Sequence, residues 1–144
     1  MIGNMFDSLE ISSTALRAER TRMNVISNNL ANMNTTRGPD GGPYRRQYVV
    51  FKTLLEENAA ADGTMKGRGV AIDDVEGDMR PFQKVYKPGH PDADEQGYLS
   101  LPNVNMAEEN VDMLMASRSY DANLAALRLT KSMIRKILDL MTGQ

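Results

Sequence analysis

His90 is the only histidine of the chain and stands between Gly89 and Pro91. An imidazole that catalyses or holds a metal needs chemically suited partners within reach. The 144 residues include no cysteine and no second histidine to supply them. Turn shaping is the better reading of His90. Just downstream, Asp92-Ala93-Asp94-Glu95-Gln96-Gly97 follows the opening of a calcium loop, with oxygen ligands first and third and the turn glycine sixth. The match then fails. Gln96 stands where Asp or Asn is wanted, and Asn103 takes the twelfth position, where a bidentate Glu is required. Pro88 and Pro91 also forbid the helix that should come before it. A solvated acidic turn is expected there instead. A third group, Asp73, Asp74, Glu76 and Asp78, imitates the carboxylate pair of acid–base catalysis. Neighbouring residues on a strand point to opposite faces, which separates Asp73 from Asp74. The group reads as a solvated strand end with a turn at Gly77. No phosphate-binding glycine loop and no nucleophile motif occurs, so neither catalysis, nor metal, nor cofactor is expected.

The elements around these residues tell more than the residues do. Ile2, Leu9, Leu16, Met23 and Leu30 recur every seven residues in the first segment, and Met106, Met113, Tyr120, Leu127, Ile134 and Met141 do so in the last. Leu124, Ile137 and Leu138 widen the second stripe. Such spacing lines apolar side chains along one narrow helical seam, the pattern of helices that pack lengthwise on other helices. All six prolines and nine of the eleven glycines fall between Thr35 and Asn103. The sequence thus predicts an α+β chain: a helix in 1–34, an irregular β-rich insert in 35–103, and a helix in 104–144. The helices should pair in an antiparallel, coiled-coil-like manner.

Local signals refine this outline. The first helix should run from about Phe6 to Asn32, with Asp7 and Glu10 as its opening signature. Asn28, Asn29, Asn32 and Asn34 compete for backbone hydrogen bonds and end it. Three short strands are expected, within Tyr44–Lys52, Gly69–Val75 and Arg80–Lys87. Residues 53–68 read as a loop with at most one helical turn. Asn105 is placed to cap the last helix, with Glu108 reaching back to it. Its acidic start and basic end complement the helix dipole.

Charge distribution bears on partners. Residues 1–34 carry three basic and three acidic groups, residues 104–144 carry five of each, and the insert carries nine basic and eleven acidic. Neutral helices stack beside copies of themselves without accumulating repulsion. Arg45-Arg46 is the only adjacent basic pair outside the last helix, which excludes a nucleic-acid footprint. No stretch approaches the roughly 20 apolar residues that span a bilayer. The N-terminus lacks a basic region followed by an apolar run, so a cleaved secretory signal is not expected.

Several blocks carry a resemblance. Asn29-Leu30-Ala31-Asn32-Met33-Asn34-Thr35 contains an Ala-Asn-x-x-Thr signature. Tyr86-Lys87-Pro88-Gly89-His90-Pro91-Asp92-Ala93-Asp94-Glu95-Gln96-Gly97-Tyr98 is followed by Leu101-Pro102-Asn103-Val104-Asn105. Gly42-Pro43-Tyr44-Arg45-Arg46 and Ser117-Arg118-Ser119-Tyr120-Asp121-Ala122-Asn123 complete the set. Together they resemble the bacterial flagellar rod and hook axial proteins over essentially the whole chain. The wider family follows the Thr with Gly-Phe or Gly-Tyr; here Arg37-Gly38-Pro39 intervenes, which agrees with the proximal-rod branch. The resemblance marks Ala31, Asn32, Thr35, Pro88, Gly89, His90, Pro91, Gly97, Tyr98, Pro102 and Asn103 as family positions.

The resemblance implies a non-catalytic structural subunit of the basal-body rod. It implies export from the cytoplasm, uncleaved, through the flagellar type III apparatus, and assembly in the periplasm-spanning drive shaft. The implied partners are rod subunits of the FlgB, FlgF, FlgG and FliE types and copies of the chain itself, with no direct membrane insertion. The seam residues Leu9, Leu16, Met23 and Leu30, with Met113, Tyr120, Leu127 and Ile134, are the expected subunit-packing positions. The runner-up is a cytosolic helical adaptor or export chaperone that holds a client on the same heptads.

Overall fold

A computed structural model describes residues 2–38, 41–57 and 65–142. Its elements are α1 (Ile2–Ala31), β1 (Gln47–Glu57), β2 (Met65–Gly77), β3 (Gln83–Tyr86), β4 (Tyr98–Leu101) and α2 (Met106–Thr142). The strands form two antiparallel pairs, β1 with β2 and β3 with β4. The α+β class read from the sequence holds, with two terminal helices and small sheets between them.

The helices pair antiparallel. Asn29, near the end of α1, touches Glu109, near the start of α2, and Arg22, two turns back, reaches Asp112. The core is small: Ala18, Val25, Ile26, Leu99, Val104 and Ala116 are its buried apolar residues. Small side chains at Ala18 and Ala116 allow close approach of the helices, as in ridge-into-groove packing.

The β1–β2 hairpin lies along α1, and two bulges shape it. Register slips between Val50 and Phe51 and between Leu54 and Leu55 make Asp73 and Arg68 the extra residues of β2 at the two bulges. Both are charged, and both make ties: Arg68 to Glu10 on α1 at 2.8 Å, and Asp73 to Lys52 at 2.7 Å. Next to the second bulge, Gly69 adopts φ +131°, and a Cβ there would stand 2.2 Å from Thr14 Oγ1. The same hydroxyl accepts the Val70 N–H at 3.2 Å. Gly69→Ala is therefore expected to destabilise the docked hairpin by about 1–3 kcal/mol. Hydrogen exchange would show this as faster exchange at Val70 with α2 unaffected; unchanged protection would contradict it.

Several local expectations are corrected. Residues 53–57 continue β1 and 65–68 open β2, although 53–68 read as a loop; 58–64 lie outside the described residues. Cross-strand pairing overrides the helix propensity of Leu54-Leu55-Glu56-Glu57. Strand β4 is an addition, because the family block that reads as turns supplies a partner for β3, with Tyr86 opposite Tyr98. Their rings meet edge-on, with centroids 5.4 Å apart. Helix α1 begins at Ile2, ahead of the Asp7–Glu10 signature, and Glu10 is turned to Arg68. Asn105 does cap α2, its Oδ1 accepting the Ala107 N–H at 2.9 Å. Glu108 does not fold back; its carboxylate accepts from Arg80 at 3.1 Å.

Candidate assembly surface and its polar hub

Where α1, β1 and α2 converge, the molecule buries charge instead of hydrocarbon. Asn29 and Glu109 are both 0 % exposed. Asn29 Nδ2 donates to the Gln47 carbonyl at 2.8 Å and to Glu109 Oε2 at 3.0 Å. Its Oδ1 accepts the Tyr44 hydroxyl and the Gln47 N–H, both at 2.9 Å. All four hydrogen-bonding positions of this carboxamide are filled. Arg46 Nε donates to the other oxygen of Glu109, and its Nη2 donates to Asp112 at 3.1 Å. Each oxygen of Glu109 thus has a donor, the condition under which a buried carboxylate is tolerated.

The insert is tied to the same hub. Asn103, buried before α2, accepts the Arg46 N–H at 2.8 Å and donates to the carbonyls of Asp78 and Arg80, both at 3.0 Å. Asp78 N–H donates to the Arg46 carbonyl at 2.7 Å. Burial would lower the Arg46 pKa, but the hydrogen bond and charge of Glu109 outweigh it and raise it, so the guanidinium stays charged. Burial, then the Glu109 charge, pushes the Tyr44 phenol up.

Asp78 gives the hub a pH signature. Burial alone would raise its carboxyl, but the backbone N–H and guanidinium of Arg80, with the Arg46 charge, hold it below its ordinary value. A carboxyl lowered in the folded state contributes stability above its unfolded value, about 3.9. That contribution is lost as pH falls through the folded value. Asp78→Asn is therefore expected to flatten the loss of stability below about pH 4. Urea unfolding at stepped pH would read this, and identical acid slopes in both proteins would contradict it.

The family block docks on the turn after α1. Asp92 Oδ2 accepts the Thr36 hydroxyl at 2.8 Å, and its other oxygen lies 3.8 Å from Arg37. His90 Nδ1 accepts the Asp92 N–H at 3.1 Å, so the imidazole does shape the turn. Gly97 is buried at φ +83°, and a Cβ there would meet Pro88 and the Tyr86 ring at 3.0 Å. Pro102 and Asn103 are buried, whereas Pro88, Gly89, Pro91 and Tyr98 are exposed. Asn32 accepts the Thr35 hydroxyl at 3.1 Å, and Ala31 is exposed. The acidic residues of the calcium-like stretch make turn contacts: Asp94 Oδ1 accepts the N–H groups of Gln96 and Tyr98. Among the described residues no group of three or more His, Cys, Asp or Glu is arranged to hold a metal.

The seam residues lie in a different setting from the core. Leu9, Leu16, Met23, Leu30, Met113, Tyr120, Leu127 and Ile134 are all half-buried. Among the described residues of α1, the fully buried ones, Ser12, Ala18, Val25, Ile26 and Asn29, lie to one side of that seam. Beyond Tyr120, α2 has no fully buried residue among the described ones, and Leu129, Met133, Leu138, Leu140 and Met141 are largely exposed. Sequence reasoning missed the hub members Asn29, Tyr44, Arg46 and Glu109. A signal existed for Glu109: it falls three residues after Met106 and four before Met113, so a carboxylate occupies the helix's packing face.

Comparison with known proteins bears on this arrangement. Residues 9–39 match the family described as flagella basal body rod protein, and residues 95–140 match the flagellar basal body rod FlgEFG protein C-terminal family. The flagellar basal-body rod protein FlgC of Borreliella burgdorferi is 43% identical, over 96% of this chain and 99% of the relative. FlgC of Bacillus subtilis is 40% identical over 94% and 97%, and FlgC of Salmonella typhimurium 44% over 95% and 96%.

Proposed function

The chain belongs to the FlgC family of flagellar basal-body rod proteins and is a structural subunit of that rod; from this premise we propose how it assembles. The terminal segments 1–34 and 104–144 form an inner layer in which helices of successive subunits lie lengthwise, and the insert 35–103 faces outward. Leu9, Leu16, Met23 and Leu30 with Met113, Tyr120, Leu127 and Ile134 make the contacts between subunits. The observation that carries this reading is the incomplete burial of the seam. Every one of these apolar side chains is half-exposed in the isolated chain, and among the described residues the distal half of α2 has none that is fully buried. Hydrocarbon left in water along two long helices stabilises an assembly that covers it, at about 25 cal/mol per Å².

The hub then has a mechanical role. It ties α1, the insert and α2 into one body, so torque entering the outer layer reaches the helices without a hinge. Neighbours of the FlgB, FlgF, FlgG and FliE types, besides copies of the chain, would provide the remaining helix contacts. The subunit would reach a periplasm-spanning rod through the flagellar type III apparatus, without a cleaved signal. Full-length relationship to rod proteins displaces the adaptor reading, and nothing in the hub calls for catalysis.

Because the sequence lacks cysteine, single cysteines report burial cleanly. Leu16→Cys and Leu127→Cys should react with a maleimide in the purified chain and be protected in intact basal bodies. Gln83→Cys, on the exposed strand β3, should react in both. Equal labelling of all three in assembled rods would overturn the layer assignment.

A further inference from the structure

The turn that begins at His90 is closed by a ring nitrogen. His90 Nδ1 accepts the Asp92 N–H at 3.1 Å. That bond, to the N–H two residues on, is the one an asparagine oxygen makes in an Asx turn. An asparagine amide gains no proton near neutral pH, whereas imidazoles as a class change charge between about pH 5 and 8. Because Nδ1 accepts, its lone pair is committed to Asp92, and the neutral ring carries its proton on Nε2. The His90 and Asp92 side chains are 28 % and 23 % exposed, so charges placed on them are only partly screened by water.

The closed turn aims the Asp92 carboxylate at the segment after α1. Its Oδ2 accepts the Thr36 hydroxyl, 56 residues away in sequence, at 2.8 Å, and its Oδ1 lies 3.8 Å from Arg37. A proton on Nδ1 upsets both ends of this chain of contacts. Two donors, the Asp92 N–H and the new Nδ1–H, then face each other, and the turn bond is lost. An acceptor for the new proton is at hand in Asp92 Oδ2, 3.9 Å from Nδ1. That oxygen is the one that holds Thr36, and Arg37 and the imidazolium become rivals for a single carboxylate. Among the described residues, the other charged groups of the block are Lys87, Asp94 and Glu95. Lys87 meets His90 through its carbonyl, which accepts the His90 N–H at 3.1 Å. Asp94 Oδ1 is taken by the N–H groups of Gln96 and Tyr98.

We infer that His90 is a proton-operated latch between the insert and the turn after α1. Neutral, it closes its turn and holds Asp92 on Thr36. Protonated, it gives up the Asp92 N–H, draws the Asp92 carboxylate to itself and slackens the tie to Thr36. The hub contains no histidine, so α1, β1 and α2 stay joined while the Tyr86–Tyr98 block loosens. The latch is a property of the single chain and does not depend on what the chain assembles with.

Because His90 is the only histidine, nuclear magnetic resonance of the purified full chain shows one imidazole and no overlap. At pH 8 its nitrogen shifts should report a proton on Nε2. As the pH is lowered to 5, the Asp92 amide and the Thr36 methyl signals should move with the imidazole's own titration. Over the same range, protection of the Asp92 amide, relative to an unstructured chain, should fall about threefold or more, the effect of losing one hydrogen bond. His90→Asn keeps an acceptor for the Asp92 N–H but cannot titrate, so its Asp92 protection should stay level from pH 8 to pH 5. A neutral ring protonated on Nδ1, Asp92 and Thr36 signals that ignore the imidazole titration, or the same loss of protection in His90→Asn would each overturn the latch.

Discussion

Replacing Glu109 with alanine is expected to lower the unfolding free energy by about 3–5 kcal/mol, because it removes the buried carboxylate that both Arg46 and Asn29 donate to. Arg46 would lose its Nε acceptor while retaining only Asp112 and the more distant Asp78. Asn29 would lose the acceptor of one amide hydrogen in a site with no exposure to water. Asn29 has no exposure to water and the Arg46 side chain only 14 %, which distinguishes this cluster from surface pairs such as Lys52–Asp73, where about 0–1 kcal/mol is usual. Glu109→Gln keeps the shape and the acceptor for Asn29 while removing the charge, so an intermediate loss is expected. Denaturant unfolding followed by circular dichroism measures all three proteins. A loss below about 1 kcal/mol for the alanine variant would reduce the hub to an ordinary surface contact.

Leu127→Asp is expected to abolish swimming and leave rods incomplete without lowering the amount of protein made. Leu127 is half-buried in the free chain, so a carboxylate there can still reach water and the monomer can still fold. At a covered helix seam the same carboxylate would be buried without a partner, at a cost of several kcal/mol in every subunit contact. That penalty repeats along the assembly, so a tolerable defect in one chain becomes prohibitive in a rod. Asp121→Asn, at an exposed position of the same helix, serves as the control and should swim normally. Wild-type motility of Leu127→Asp would remove this residue from any interface.

The sequence by itself determined the two terminal helices, because a seven-residue apolar repeat and long runs free of proline and glycine act through local geometry. It also determined that prolines and glycines confine irregular structure to the insert. The cap at Asn105 was equally legible, since its acceptor needs only a backbone N–H two residues away. Family membership was readable from blocks such as Gly89-His90-Pro91-Asp92 and Leu101-Pro102-Asn103-Val104-Asn105. What these blocks do was not. Asp92 binds Thr36, and Asn103 bridges Arg46 to the carbonyls of Asp78 and Arg80, across separations that no local pattern records. The tertiary structure also decided strand β4 and the extension of β1 and β2, because a strand's hydrogen bonds are completed by its partner. Above all it decided the hub. Asn29 read as the fraying end of a helix, Arg46 as half of an adjacent basic pair, and Glu109 as a charge for the helix dipole. Only their convergence, over 63 residues from Arg46 to Glu109 and 80 from Asn29, makes them one buried network. A polar side chain's role is set by whether water or a partner satisfies it, and that is fixed only when distant segments meet.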